Sequence, residues 1–383
     1  MFPIDHLFLE ALAFRPNHEP FTPVVARAKM SKNRLRLMVI KLHQASWMSL
    51  KASVTPNGAI LLGKYLACDA FDEVRPLRVV THAHSDHLLG LRESLKSCVA
   101  VMMTPATKDL IDVLKGPLFL MAGQVKTLAY EKEFTYQDER LTLHYADHIL
   151  GAAQALIVDS QGTRILYTSD FRLPETPIIE SDILVTETTY GNPYRVRPFR
   201  KQVNRILISL VEQGLKRRPV YLFGYYGKLQ EVMQILHRTG IRVPFVVPEK
   251  VFRVSKICER HGMTLGRYLL SSSEEAQNVT KKHQPYVAFY HMGSRRYVGK
   301  DALRINVSGW EFESPCRRTA ENEYVIALSD HSDFKGLIRY VKESKPKLVI
   351  TDNYRAGDAV SLAREIQKKL NIPARPLPAK RDS

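Results

Sequence analysis

Cysteine is scarce in this chain: Cys68, Cys98, Cys258 and Cys316 are four among 383 residues and lie far apart. The absence of a CxxC pair excludes a zinc ribbon and a disulfide-stapled small domain, so the four read as reduced cytosolic thiols, mostly packing residues. Long apolar runs are also missing. No window approaches the roughly 18–20 apolar residues that span a bilayer, which excludes a membrane segment as partner. The N-terminal stretch HLFLEALAF carries Glu10 and has no basic region before it, which argues against a signal peptide. The expected location is cytoplasmic. No internal repeat or low-complexity segment is evident. Acid is short as well: Asp plus Glu number 39 against 56 Lys plus Arg, a formal charge of +17 that points to a polyanionic partner, nucleic acid first, with a solvated basic surface as the alternative. What is present is a hydrophobic content of 45 %, ordinary for a globular protein, and a length sufficient for two domain-sized units.

Residues 1–45 read as an N-terminal extension, punctuated by Pro3, Pro16, Pro20 and Pro23 and carrying the basic run Lys29 to Arg36. From about residue 50 the text becomes short apolar runs ending in polar clusters, such as AILLG, LRVVTHAH, VAVMMT, LTLHYADH, RILYTSD and DILVTE, of strand length with strand-like ends. Apolar residues at three- and four-residue spacing predict helices over Leu88–Ser97, Ala106–Leu114 and Asn204–Leu215. Strands and helices then alternate between about 196 and 320, as in VYLFGYY followed by Lys228–Arg238 and VPFVVP followed by Val251–His261, which predicts an inserted α/β unit. YVIALSDH, a helix over Phe334–Glu343, KLVITD and a helix over Asp358–Leu370 read as the return of the first fold. The boundaries expected are therefore 46–195 and 321–383 for one domain and 196–320 for the insert.

The chemistry is concentrated in VVTHAHSDHLLG, where a strand runs into His82, His84, Asp86 and His87. Alternation in an extended turn sends His82 and His84 to one side and lets Asp86 and His87 reach a neighbouring point. Such a set suits two adjacent Zn²⁺ ions, or one Zn²⁺ with a weaker second site served by Mn²⁺ or Mg²⁺. A polar loop that happens to be rich in histidine is the bland alternative, but four ligand-type residues in six positions weigh against it.

This stretch resembles the HxHxDH signature of the metallo-β-lactamase superfamily, and further matches follow in order over roughly residues 50–370. DHILGAAQALIVD resembles the segment that supplies a third histidine, here His148. RILYTSDF resembles the one supplying a bridging carboxylate, here Asp170, and YLACDAF places Asp69 where the family orients its metal loop. TETTYGNPYR, LFGYYGKLQE, VSGW and ALSDHSDF resemble the β-CASP branch, whose members cut DNA or RNA. The resemblance implies an α/β fold, a metallo-β-lactamase αββα sandwich with an inserted β-CASP α/β domain. It also implies acidic and histidine motifs at Glu187 and His331, with Asp86, Glu187 and His331 as the catalytic set.

Glu187 hydrogen-bonded to His331 would keep that ring protonated as a general acid. An Asp-His-Ser turn in which Ser332 or Asp333 caps the helix starting near Phe334 is the structural alternative for His331. Lys228, in the GK segment at a strand-to-helix junction, together with Arg195 and Arg197, is the expected phosphate contact, with helix capping the alternative for Lys228. Tyr190, Tyr194, Tyr225 and Tyr226 stack on bases if exposed and pack in the core if not.

One motif departs from the family pattern. After KLVIT the RNA-cutting members generally carry His and the Artemis-type DNA nucleases Val, whereas TDNYRAG has Asp352 and Asn353 there. Asp352 is the expected oxygen ligand of the second metal, and a solvated turn is the alternative. CDAFDEV, THAHSDH, TETTYGNPYR and LSDHSDFKGL resemble the ligase-associated and Artemis-type DNA exonucleases. The reading is a DNA exonuclease of DNA processing or repair, with DNA favoured over RNA as partner. An RNA-processing nuclease and a catalytically silent nucleic-acid-binding paralogue are the alternatives.

Overall fold

The computed structural model describes residues 51–116 and 123–379. The expected N-terminal extension lies outside the described residues. Two sheets face each other. The first runs Ala52–Val54, Ile60–Leu62, Leu66–Cys68, Leu77–Val79, Ala100–Met103 and Val125–Thr127 in spatial order, antiparallel at its first two pairings and parallel at the last three. The second runs Ala374–Leu377, Leu348–Asp352, Ile183–Thr186, Arg164–Tyr167, Ala153–Val158, Glu139–Tyr145 and Glu133–Tyr136, and its first four strands are parallel.

Period-two alternation explains the layering. Ile165, Tyr167, Ile183, Val185, Leu348 and Ile350 meet Leu62, Leu66, Val79 and Met102 of the first sheet in one core. Their alternates Leu166, Leu184 and Val349 face outward, onto Leu337 and Val341 of the helix Phe334–Ser344 and onto Leu362 and Ile366 of the helix Ala359–Leu370. Val101 and Met103 on the outer face of the first sheet pack with Leu91 of the helix Leu91–Ser97 and with Leu110 and Ile111 of the helix Pro105–Lys115.

Helix ends follow local chemistry. Pro105 starts its helix behind Thr104, whose hydroxyl accepts from the Thr107 N–H at 3.2 Å. The helix expected from Leu88 begins later, at Leu91, because Gly90 is left-handed (φ 61°) and Ser85–His87 form a separate 3-10 turn.

A third sheet runs Tyr268–Leu270, Phe245–Val247, Val287–His291, Val220–Gly224, Leu303–Val307, Glu323–Ile326 and Cys316–Ala320, parallel except at its last pairing. Glu323–Ile326, read from sequence as the return of the first fold, instead pairs with Leu303–Val307 in this sheet. A strand-like run does not carry the identity of its sheet. Arg317 and Arg318 occupy the edge strand and are exposed, a charged edge that resists pairing with another chain.

Leu66 has no exposed surface between the two facing sheets. Leu66→Ala is expected to destabilise the fold by about 2–5 kcal/mol, read as a lower urea midpoint at an unchanged slope. A midpoint equal to wild type would show that the two sheets do not share a close-packed core.

Candidate metal centre

The strand Leu77–Val79 continues through Val80 and Thr81 into His82, so the histidine loop leaves the carboxyl end of a buried strand. Asp69, at the end of the neighbouring strand and held at φ 64°, ties the loop down. It accepts from the Thr81 N–H and hydroxyl, each at 2.8 Å, and from His87 Nδ1 at 2.7 Å. Burial raises the Asp69 pKa, but His87 outweighs it and the net direction is down. Arg78, fully buried in the same strand, donates to the carbonyls of Asp69 (2.9 Å), His87 (3.2 Å) and Leu89 (2.8 Å) and so closes the loop from behind.

Three imidazoles converge above it. His84 Nδ1 lies 3.2 Å from His82 Nε2 and 3.0 Å from His148 Nε2. His148 comes from the turn before the strand Ala153–Val158, and its Nδ1 donates to the Asp330 carbonyl at 3.1 Å, which fixes the tautomer and leaves Nε2 with a lone pair toward the cluster. The Asp170 carboxylate follows the strand Arg164–Tyr167, and its Oδ2 stands 3.7 Å from His82 Nε2, 3.6 Å from His148 Nε2 and 3.3 Å from His87 Nε2.

Burial lowers the pKa of His82, His84 and His148, the last to about 3. All three rings are therefore neutral donors. Burial is the largest single influence and pushes Asp170 up, but His87 and then His331 and His148 together hold it well below the usual carboxylate range.

His82, His84, His148 and Asp170 each offer a ligand atom within 4.8 Å of the others. Three imidazole nitrogens and one carboxylate oxygen fit a Zn²⁺-type cation, since deprotonated N and O donors facing one point are what such an ion requires. The buried Nε2 of His87 also makes no hydrogen bond and points at Asp170 and, at 3.5 Å, at Asp86, whose side chain is largely exposed.

Glu187 ends the strand Ile183–Thr186, buried, with Oε1 accepting from the Phe171 N–H at 2.9 Å. Its Oε2 accepts from His331 Nδ1 at 3.0 Å. Burial pulls His331 down, but Glu187 outweighs it and raises the ring to about 9. Burial raises Glu187 in turn, against the pull of His331. The His331 ring centroid is 4.7 Å from that of His148, so this pair borders the histidine cluster. Asp333 caps the helix that follows, accepting from the Gly336 N–H at 3.0 Å, so the cap and the histidine coexist in one turn.

Other expected contacts are placed differently. Lys228 is the first residue of its helix but is buried, its Nζ 2.8 Å from Asp330 Oδ1, and so is not open to phosphate. Arg197 is buried too, lying 4.3 Å over the Tyr190 ring and 4.1 Å over Phe312 and donating to the Gly309 carbonyl. Arg195 is exposed. Tyr190 is core, Tyr194 and Tyr225 are exposed, and Tyr226 stacks on His291 at 4.7 Å.

Asp352 is buried, and its carboxylate is taken by Arg355 at 2.8 Å and by the Tyr354 N–H at 2.9 Å. It joins no converging ligand group among the described residues, contrary to its expected role as an oxygen ligand. Arg78, Asp330 and Arg355 were missed by sequence reasoning. An arginine inside the apolar run LRVV was the signal for the first, and adjacency to His331 for the second.

Paired sheets between helices, with a histidine–aspartate cluster at the strand ends, define a metallo-β-lactamase-type hydrolase fold carrying a third-sheet α/β insert. No family model matches the chain. An "Uncharacterized protein in lig 3'region" of Acidianus ambivalens is 39 % identical over 138 residues, 36 % of this chain and 99 % of that protein. A "Probable DNA ligase" of Opitutus terrae is 27 % identical over 75 % of this chain and 27 % of its own length. "Transcription termination factor FttA" of Methanosarcina mazei is 25 % identical over 80 % of this chain and 63 % of that one, and "RNase J-like protein" of Methanocaldococcus jannaschii is 26 % identical over 88 % and 97 %. The chain thus spans about a quarter of the ligase and under two thirds of FttA. It belongs to the metallo-β-lactamase superfamily, in its β-CASP nuclease branch. No helix among the described residues is long and apolar enough to cross a membrane.

Asp170→Ala is expected to weaken Zn²⁺ binding by more than the roughly 10–100-fold usual for loss of a group behind a ligand, measured by competition with a chromophoric chelator. Affinity within a few-fold of wild type would remove Asp170 from the ligand set.

Proposed function

We propose that this chain is a metal-dependent nuclease that hydrolyses phosphodiester bonds, with RNA as its substrate class. The observation that carries the chemistry is the Glu187–His331 pair set beside the His82, His84, His148 and Asp170 cluster. His82, His84, His148 and Asp170 would hold a divalent cation, their donors suiting Zn²⁺, which when bound would polarise the phosphoryl group and lower the pKa of water. His331, held by Glu187 at Nδ1, keeps Nε2 for donating a proton to the departing oxygen, and its raised pKa keeps that proton in place at neutral pH.

The surroundings suit a nucleic-acid strand. A cavity of about 610 Å³ beside His331 is lined by Arg200, Lys201, Lys335 and Arg339, a basic path for phosphates. On the other flank, a cavity of about 290 Å³ bordered by His84 is walled by Tyr225, Tyr226 and His291 with Lys115 and Lys250, rings on which bases can stack.

RNA is preferred because a relative that this chain matches over 97 % of that protein and 88 % of its own length is named RNase J-like. The preference for DNA drawn from motif phrases gains less support. DNA stays the second reading on one observation, the match of three quarters of this chain to a protein named a probable DNA ligase. The test is a time course on end-labelled RNA and matched single-stranded DNA with Zn²⁺, Mn²⁺ or Mg²⁺, beside Asp170→Ala. RNA cut by wild type alone is the expected result, DNA preference would promote the second reading, and binding without cleavage would refute a nuclease.

The pH dependence follows from His331. A general acid works in its protonated form, so the rate is expected to fall as pH rises through about 9. Glu187→Gln removes the carboxylate that raises this pKa, so the alkaline limb should move to lower pH. A limb that stays in place would show that His331 is not the acid.

A further inference from the structure

The family resemblance implies two metals, and the second half of the site does not fit a second one. We propose that the chain holds a single tight cation, and that the Arg355 guanidinium, locked to Asp352, stands in place of the second. This rests on the metal-centre reading above.

Asp86 and His87, the residues left for a second ion, belong to no group of three ligand atoms converging within 4.8 Å among the described residues. Two other groups of three do converge, His148–Asp330–His331 and Asp170–Glu187–His331, but their acids already have cationic partners, Asp330 in Lys228 Nζ at 2.8 Å and Glu187 in His331 Nδ1 at 3.0 Å. Beside Asp86 and His87 the remaining source of a ligand is the end of the strand Leu348–Asp352, and both candidates there are committed elsewhere. Asp352 Oδ2 is 2.8 Å from Arg355 Nη1 and its Oδ1 accepts from the Tyr354 N–H at 2.9 Å. Asn353 turns to the last strand, its N–H donating to the Leu377 carbonyl at 2.7 Å and its Nδ2 to that of Pro378 at 2.9 Å.

The other arm of the guanidinium points into the metal loop. Arg355 Nη2 donates to the Gly58 carbonyl at 3.1 Å and reaches 3.5 Å from that of Asp86. Both side chains of the pair are nearly fully buried. An arginine keeps its charge at every working pH. A permanent cation fixed against the backbone of Asp86 repels an incoming divalent ion, and by occupying Asp352 it also withholds a carboxylate such an ion needs. An ion pair with a packing role alone would leave the metal count unchanged when broken.

The experiment is metal stoichiometry, independent of any substrate. Purified full-length protein is dialysed to equilibrium against buffered Zn²⁺ and measured by plasma mass spectrometry, with a parallel Co²⁺ titration followed by ligand-field absorption. Wild type is expected to saturate at one tight equivalent. Arg355→Ala frees Asp352 and should gain a second equivalent, and the double variant Arg355→Ala, Asp352→Ala should return to one.

Asp86→Ala covers the case in which Arg355→Ala does not fold: it should retain the single ion with affinity within a few-fold of wild type. Two tight equivalents in wild type overturn the inference, as do a folded Arg355→Ala that stays at one and an Asp86→Ala that loses the ion. A wild-type protein that binds none would instead refute the metal-centre reading itself.

Discussion

The site depends on the buried carboxylate of Asp69. A fully buried charge is stable only when its lone pairs are taken up, and here Thr81 and His87 take them up from within the loop that carries the histidines. One group thereby fixes where the strand Leu77–Val79 ends and how His87 is turned. Arg78 performs the complementary task for the backbone, donating to the carbonyls of Asp69 and His87 and, beside the Phe71 N–H, to that of Leu89. Ser169, itself left-handed at φ 55°, donates to the Thr81 hydroxyl at 2.8 Å and so couples the Asp170 turn to the same knot. Two non-glycine residues in the left-handed region beside the cluster mark where the backbone is bent to serve it.

From that knot the rest of the arrangement follows by topology. Parallel strands bring their carboxyl ends to one edge, and Asp170, Glu187 and Asp352 leave three adjacent strands of the second sheet there. The insert is pinned at the same edge. Arg172 joins Asp147 of the sandwich to Glu231 of the insert helix at 2.7 Å each, and Lys228 from the same helix meets Asp330. Charges that join the two parts are thus spent beside the cluster, where any relative motion of insert and sandwich alters the cleft.

Legibility in the sequence tracked locality. His82, His84, Asp86 and His87 lie within six positions, and the α/β insert announces itself by alternating runs, so both patterns were visible locally, although of the four only His82 and His84 join a converging ligand group among the described residues. His148, Asp170, Glu187 and His331 needed motif order, because nothing local says that residues so far apart meet; the structure gathers them at one edge. The positive residues misled for a related reason. Lys228 and Arg197 have the sequence context of phosphate contacts, but sequence gives no partner, and theirs are Asp330 and the Tyr190–Phe312 rings. Asp352 was read by its strand-end position alone, while its fate is decided by Arg355 three residues on, a pairing that depends on the turn at Tyr354.

The pattern of ion pairs around the cluster says where a cation is needed. Asp330 has Lys228, Asp352 has Arg355 and Glu187 has His331, each a buried acid with a cationic partner. Asp170 meets only imidazoles, and of these His82 and His148 are held neutral by burial. Its charged neighbours are His87, raised to about 10, and His331, raised to about 9, but the Nδ1 proton of each already serves another carboxylate, that of Asp69 and of Glu187. Two imidazoliums shared among the carboxylates of Asp69, Asp170 and Glu187 leave a net negative charge in a buried site, beside three neutral imidazoles that converge on the same spot. A phosphodiester, itself anionic, could not approach such a point. On the proposed function, a divalent cation held among His82, His84, His148 and Asp170 would offset both the internal imbalance and the repulsion of the substrate, and would place cleavage beside that cluster.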